Sequence, residues 1–154
     1  MTGPSTARLR PVEPGDVAIF FEHQADPQAA AMAGFPARDR AAHDAHWERL
    51  LADDTPYTRT IVLPDGRVAG NIGSWMDGGE RYVGYWLGRE HWGQGHASRA
   101  VAAFLAEVPE RPVYAHVVDH NVASLRVLER CGFVVAGEER EPGEAATTII
   151  LRLS

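Results

Sequence analysis

At 154 residues, with 45% hydrophobic and 23% charged positions, the chain has the size and composition of one folded domain with a buried core. A net charge of -6, with all 15 basic residues arginine and none lysine, excludes the clustered cationic surface that general nucleic-acid binding requires. No apolar run approaches a membrane span, the first residues lack signal character, and Cys131 alone cannot form an internal disulfide, so a cytoplasmic protein is expected.

Residues 1–6 read as a disordered tail before a first strand at Arg8–Val12. Glu13-Pro14-Gly15-Asp16 opens a helix through Val17, Ile19, Phe20 and Phe21, with Asp16 as its expected cap. Pro27 to Pro36 reads as a turn of helix and a loop, and Arg38–Ala52 as a second helix. Tyr57–Leu63 and Val68–Met76 form a hairpin across Pro64-Asp65-Gly66. Asp77–Glu80 turns the chain again.

The stretch from Arg81 to Val108 is the one around which the rest of the chain is organised. Tyr82, Val83, Tyr85, Trp86 and Leu87 suit a buried strand. Ala97, Ala100, Val101, Phe104, Leu105 and Val108 recur at the spacing of one helical face, which Pro109 ends. Between them lies Trp92-Gly93-Gln94-Gly95-His96-Ala97. Its glycines admit close backbone approach, and the first helical amides point outward at the positive end of the helix dipole. A strand delivering a glycine turn to a helix start is an anion cradle, most naturally for a phosphate. It is not a P-loop, because His96 and Ala97 follow Gly95 where Lys and Ser/Thr are needed. Nor is it a dinucleotide fingerprint, because Ser98 occupies the place of the third glycine.

Pro112–Val118 reads as the next strand and Asp119-His120-Asn121 as a turn. A short helix carries Val122, Leu125, Val127 and Leu128 and is closed by Gly132 before Phe133. Val134–Ala136 and Thr147–Leu151 then pair as a final hairpin. Cys131, beside the helix end, is read as a packed thiol.

Gly95 and Ala97 match the last positions of Arg/Gln-x-x-Gly-x-Gly/Ala, and Asn121, Ser124, Gly132 and Phe133 match Asn-x-x-Ser, helix, Gly-Phe. On these two signatures the chain resembles the GCN5-related N-acetyltransferase (GNAT) family over residues 7 to 153. Trp92 stands where Arg or Gln is usual, a departure shared with the branch of ribosomal-protein N-terminal acetyltransferases. The resemblance implies an α/β (α+β) fold: a central mixed, mostly antiparallel sheet of six to seven strands, splayed between the fourth and fifth, flanked by about four helices. It implies acetyl-CoA as co-substrate, no metal, and direct attack by a primary amine in a ternary complex. The cofactor pyrophosphate would lie on amides from Gly93 to Ser98, with Trp92, Gln94, Gly95, His96 and Ala97 in that turn and Asn121 nearby. The pantetheine arm would lie against backbone groups of Tyr85, Trp86 and Leu87. Arg99 and Arg126 are further partners for the anion. The early helices would wall the acceptor pocket, making Phe35, His46 and Trp47 candidates for substrate contact. A homodimer through the C-terminal strands is expected, with Ile149, Ile150 and Leu151 partly exposed.

The amine must lose a proton, and a histidine of pKa about 6.5 suits that task at neutral pH. His116, five residues before Asn121, takes the role on the face shared with Tyr114 and Val118; Glu80, Asp77 and Tyr85 are reserves. Relatives place a tyrosine seven residues after the asparagine to protonate the leaving thiolate. Here that position is Leu128, so Ser124 is the candidate acid. His43/His46 and His116/His120 lack a carboxylate or cysteine set at metal-site spacing, and no Gly-x-Ser-x-Gly elbow marks a serine hydrolase. A non-catalytic acyl-CoA sensor, or an O-acyl or longer-acyl transferase on the same scaffold, is the alternative. The acceptor stays open among protein N-termini, amino acids, polyamines and aminoglycosides.

Overall fold

The computed structural model describes residues 7–34, 36–52 and 57–154. The expected tail at 1–6 and the candidate Phe35 lie outside them. The elements run β1 (Arg8–Arg10), α1 (Pro14–Ala25), α2 (Pro27–Ala33), α3 (Arg40–Ala52), β2 (Tyr57–Val62), β3 (Val68–Asp77), β4 (Glu80–Leu87), α4 (His96–Glu107), β5 (Val113–Val118), α5 (Val122–Arg130), β6 (Val134–Glu139) and β7 (Thr148–Leu153). A 3-10 turn at Arg89–His91 precedes the glycine turn.

Two expectations change. The Pro27 stretch is a full helix rather than a turn, giving five α-helices among the described residues. Asp26 caps it by accepting from Gln28 N–H, and Gly34 ends it in the left-handed region at φ 79°. Asp16 is not the cap of α1. Glu13 is, and Asp16 sits at the third helical position, where its carboxylate accepts from the Glu13 N–H at 2.8 Å. It is buried, and it also accepts from Arg10 at 2.7 Å and from the Thr60 hydroxyl at 2.8 Å. The residue is thus the joint between the first helix and the sheet.

Seven strands form one sheet in the order β1-β2-β3-β4-β5-β7-β6. Every neighbouring pair is antiparallel except β4 and β5. That parallel pair meets only at Arg81↔Val113 and Tyr82↔Tyr114, so the two strands part beyond Tyr82 and leave a fork in the sheet. Arg81 pins the closed end: it donates to Ser74 Oγ at 2.9 Å and faces Glu110 at 3.8 Å.

Alternation divides the side chains between two layers. Ile61, Ile72, Val83, Leu87, Val113, Ala115, Val117 and Leu151 face α4 and α5 and bury Ala100, Val101, Phe104, Leu105 and Leu128 among them. The opposite face carries α1, α2 and α3. There Thr60 meets Asp16, and Gly34 comes so close to Val118 that an added Cβ would lie 2.7 Å from its side chain. Trp47 is buried in this helical layer against Phe20, ring centroids 4.8 Å apart, which makes it a packing residue.

The run of Ile149, Ile150 and Leu151 is partly exposed, as alternation implies. β7 lies between β5 and β6, Leu151 is buried and both isoleucines are half-buried. The exposed apolar residues at this end are Val134 and Val135 on the edge strand β6.

Candidate active site

The open end of the fork faces the glycine turn. Gly93 and Gly95 adopt φ of 74° and 82°, in the left-handed region that glycine enters without steric cost. Gly95 is the N-cap of α4 and supplies no side chain to its first amides. A Cβ on Gly93 would meet nothing within 4 Å, whereas one on Gly95 would lie 3.1 Å from the Arg99 guanidinium. Arg99 itself donates to the Gln94 carbonyl at 3.3 Å, holding a cation over the turn. Trp92, in the usual arginine position, donates its indole N–H to the Leu87 carbonyl at 3.1 Å. It ties the turn to the strand end.

Two buried polar atoms in this cradle have no protein partner: His96 Nδ1 and Ser98 Oγ. A buried polar atom without a partner costs free energy. The Ser98 hydroxyl can donate to an anion seated on the helix start, whereas the His96 ring directs its Nε2–H at Gln94 Oε1, 3.2 Å away, and leaves Nδ1 as an acceptor. Burial, then the charges of Arg99 and His91, hold the His96 pKa below its ordinary value. The residues present therefore fit the pyrophosphate of coenzyme A.

Within the fork, backbone alternation decides which groups are free. Gly88 N–H donates to Ala69 O at 2.9 Å, which fixes Trp86, Gly84 and Tyr82 as the residues of β4 bonded to β3. The main-chain groups of Val83, Tyr85 and Leu87 then point toward β5; the Val83 N–H closes the last pair at Tyr82↔Tyr114, and the groups beyond it face the gap. The Trp86 backbone is turned to Asn71 instead, and the Leu87 carbonyl is taken by Trp92. Sequence alone does not single out Val83; the strand period together with the register identifies it.

The candidate catalytic side chains occupy opposite sides of the sheet. His116 is exposed on the face of α1 to α3, with its ring edge-on to Tyr82 at 4.8 Å. Ser124 lies on α5, on the other face, and accepts from the Tyr85 hydroxyl at 3.0 Å. Burial raises the Tyr85 pKa, countered in part by the bond to Ser124, so the phenol keeps its proton at neutral pH. Asn121 caps α5 by accepting from Ser124 N–H at 3.3 Å, which sets the serine in place. Cys131 is half-buried, its thiol pKa raised by burial, and it donates weakly to the Ser98 carbonyl at 3.7 Å. It is a packed thiol. His43 and His120 are held by the Val17 and Ala31 carbonyls at 2.8 and 3.0 Å. Among the described residues, no group of three or more His, Cys, Asp or Glu is placed to hold a metal ion.

A family model for the acetyltransferase (GNAT) domain matches residues 7–134. The chain belongs to the GNAT acetyltransferase family. Solved structures of this fold superpose over almost the whole chain. Spermidine N-acetyltransferase from Vibrio cholerae, in complex with CoA and spermine, aligns with a TM-score of 0.83 at 15% identity, over 97% of this chain and 96% of that one. A GNAT-family acetyltransferase from Bacillus anthracis aligns with a TM-score of 0.81 at 16% identity, over 96% and 94%. No curated protein is matched at the level of sequence. The splayed mixed sheet and its flanking helices are those of the GNAT fold, and membership makes the protein an acetyl-CoA-dependent N-acetyltransferase.

Proposed function

We propose that this GNAT enzyme acetylates a primary amine that approaches from the α1–α3 face of the fork while the thiol departs toward α5. The observation that carries this reading is the separation of His116 and the Tyr85–Ser124 pair by the thickness of the sheet, on either side of one gap. Acetyl-CoA, when bound, supplies an activated thioester carbonyl. The chain's own groups supply the rest. Amides at the start of α4, with Arg99 and Ser98, bind the pyrophosphate. The Val83 carbonyl and the Tyr85 main chain, which lie past the last β4–β5 pair, align the arm, and the Tyr85 N–H is offered to the carbonyl oxygen as charge develops on it. His116 Nδ1 or Nε2 takes the proton from the attacking amine. On the far side, the Ser124 hydroxyl gives its proton toward the departing sulfur, and Tyr85 replaces that proton through the hydrogen bond already in place. The phenolate regains a proton from solvent as His116 releases the one it took from the amine.

A thiol-release assay with acetyl-CoA and matched panels of amines and alcohols tests the reading. Release with amines supports it. Release only with alcohols, or acyl-CoA binding with no release, would favour the O-acyl or sensor alternatives. Ser124 and Trp92 support kinship with the ribosomal-protein branch, and the exposed edge of β6 supports a homodimer. A cytoplasmic location rests on the lone cysteine.

A further inference from the structure

On the face where His116 stands, one cross-strand row runs Trp75–Tyr82–Tyr114–Arg152, each residue directly opposite the next. Tyr82 and Tyr114 mark the closed end of the fork. Trp75 stacks on Tyr82 with ring centroids 6.3 Å apart and planes 15° from parallel, yet remains 43% exposed. Tyr114 tilts against Tyr82 at 5.8 Å. Gly84 makes this arrangement possible, since a Cβ there would lie 2.9 Å from the Trp75 ring. The indole therefore lies flat along the sheet, leading from solvent toward His116.

Carboxylates flank this aromatic floor. Glu80 accepts from the Tyr82 hydroxyl at 3.3 Å, and Asp77 sits opposite Glu80 in register. Burial, then the charges of Glu80, Asp77 and Glu139, raise the Tyr82 pKa, which places Glu139 in the same field. Arg152, beyond Tyr114, is the cation at the far end of the row. An exposed indole over half-buried phenols, bordered by negative charge, attracts an ammonium group and repels a carboxylate. An alkyl spacer would lie along the rings.

We propose that the acceptor is an amine carrying a second positive charge, and that Trp75 and Tyr82 hold that second charge while the reacting amine reaches His116. The inference deepens the acetyl-transfer reading and rests on it for the position of the reacting amine. Three probes of matched length separate the chemistry: 1,4-diaminobutane, butylamine and 4-aminobutanoate, titrated calorimetrically into CoA-loaded protein and assayed as acceptors. The diamine should bind about fivefold or more tightly than butylamine, with the carboxylate weakest. Trp75→Leu should bring diamine and butylamine within about twofold of each other, while Trp75→Phe retains the preference and both variants keep wild-type affinity for CoA. Should Trp75→Leu fail to fold, Asp77→Asn with Glu80→Gln is expected to narrow the preference in the same direction. Equal affinities, no measurable diamine binding, or a preference for 4-aminobutanoate that Arg152→Gln abolishes would each overturn the assignment. Preferential diamine binding without any thiol release would instead sink the acetyl-transfer reading and leave the surface standing.

Discussion

The Tyr85 hydroxyl donates to Ser124 Oγ at 3.0 Å across the fork, joining β4 to the second turn-forming signature on α5. Leu128, where relatives carry a tyrosine, has no proton to give; here the phenol comes from the strand instead. Tyr85→Phe and Ser124→Ala should each lower kcat by roughly tenfold, with KM for acetyl-CoA nearly unchanged. Steady-state kinetics check this. Unchanged kcat with a raised KM would reassign both as cofactor contacts.

Gly95→Glu places a side chain and a negative charge in the cradle, on a backbone at φ 82°. Affinity for acetyl-CoA should weaken by more than about tenfold, roughly 1.4 kcal/mol. Calorimetry on the folded variant measures it, and wild-type affinity there would remove the pyrophosphate from this turn.

Removing the His116 imidazole should cost turnover and not cofactor binding. His116→Ala is expected to lower kcat by ~10²–10⁴. Because the ring also packs edge-on against Tyr82, the thermal midpoint of the variant should be measured alongside. A rate within about threefold of wild type, at retained stability, would make His116 a packing residue.

Acid should destabilise the fold in two steps. Burial, then the charges of Arg38, Arg49 and His43, lower the His46 pKa from 6.5 to about 4, and burial likewise lowers that of His23. The unfolded chain therefore takes up protons first as pH falls from 6.5, and stability falls with it down to about 4. Asp16 acts lower. Burial pushes its carboxyl up, but hydrogen bonds from Arg10, Glu13 and Thr60 outweigh that and leave it below 3.8. Its contribution is full above 3.8 and is lost as pH falls through the lower folded value. Denaturant midpoints between pH 7 and 3 test both, and His46→Gln should shrink the upper step, leaving the part due to His23, without changing the lower one.

Val134 and Val135 project from opposite faces of the edge strand β6, both more than half exposed. A second copy pairing at this edge would cover them and satisfy the open backbone. Light scattering at tens of micromolar should return twice the chain mass, and Val135→Lys should halve it. A monomeric wild-type mass would count against the dimer.

The glycine turn and both helix starts were legible because their chemistry is local: Gly93, Gly95 and Asn121 declare backbone needs in their own residue types. Tertiary partners were not. Nothing in the spacing of Tyr85 and Ser124 says that their hydroxyls meet, because that contact depends on the crossing of β4 and α5. Asp16 has the residue type and place of a helix cap, and only the approach of Thr60 reveals it as a link to the sheet. Alternation in Ile149–Leu151 gives its partial exposure, but that β7 lies inside β6, with Val134 and Val135 outermost, follows only from strand order. Val83 needs the registers of β3, β4 and β5 before its free carbonyl can be found.

The parting of β4 and β5 has a kinetic corollary. A doorway open on both sides lets two visitors stand in it without either blocking the other's exit. Acetyl-CoA and acceptor should then bind in either order, and the acetylated amine can depart while CoA is still seated. Initial-velocity lines should intersect rather than run parallel, the pattern of a ternary complex and not of a covalent shuttle. CoA should compete with acetyl-CoA and yet be noncompetitive toward the amine.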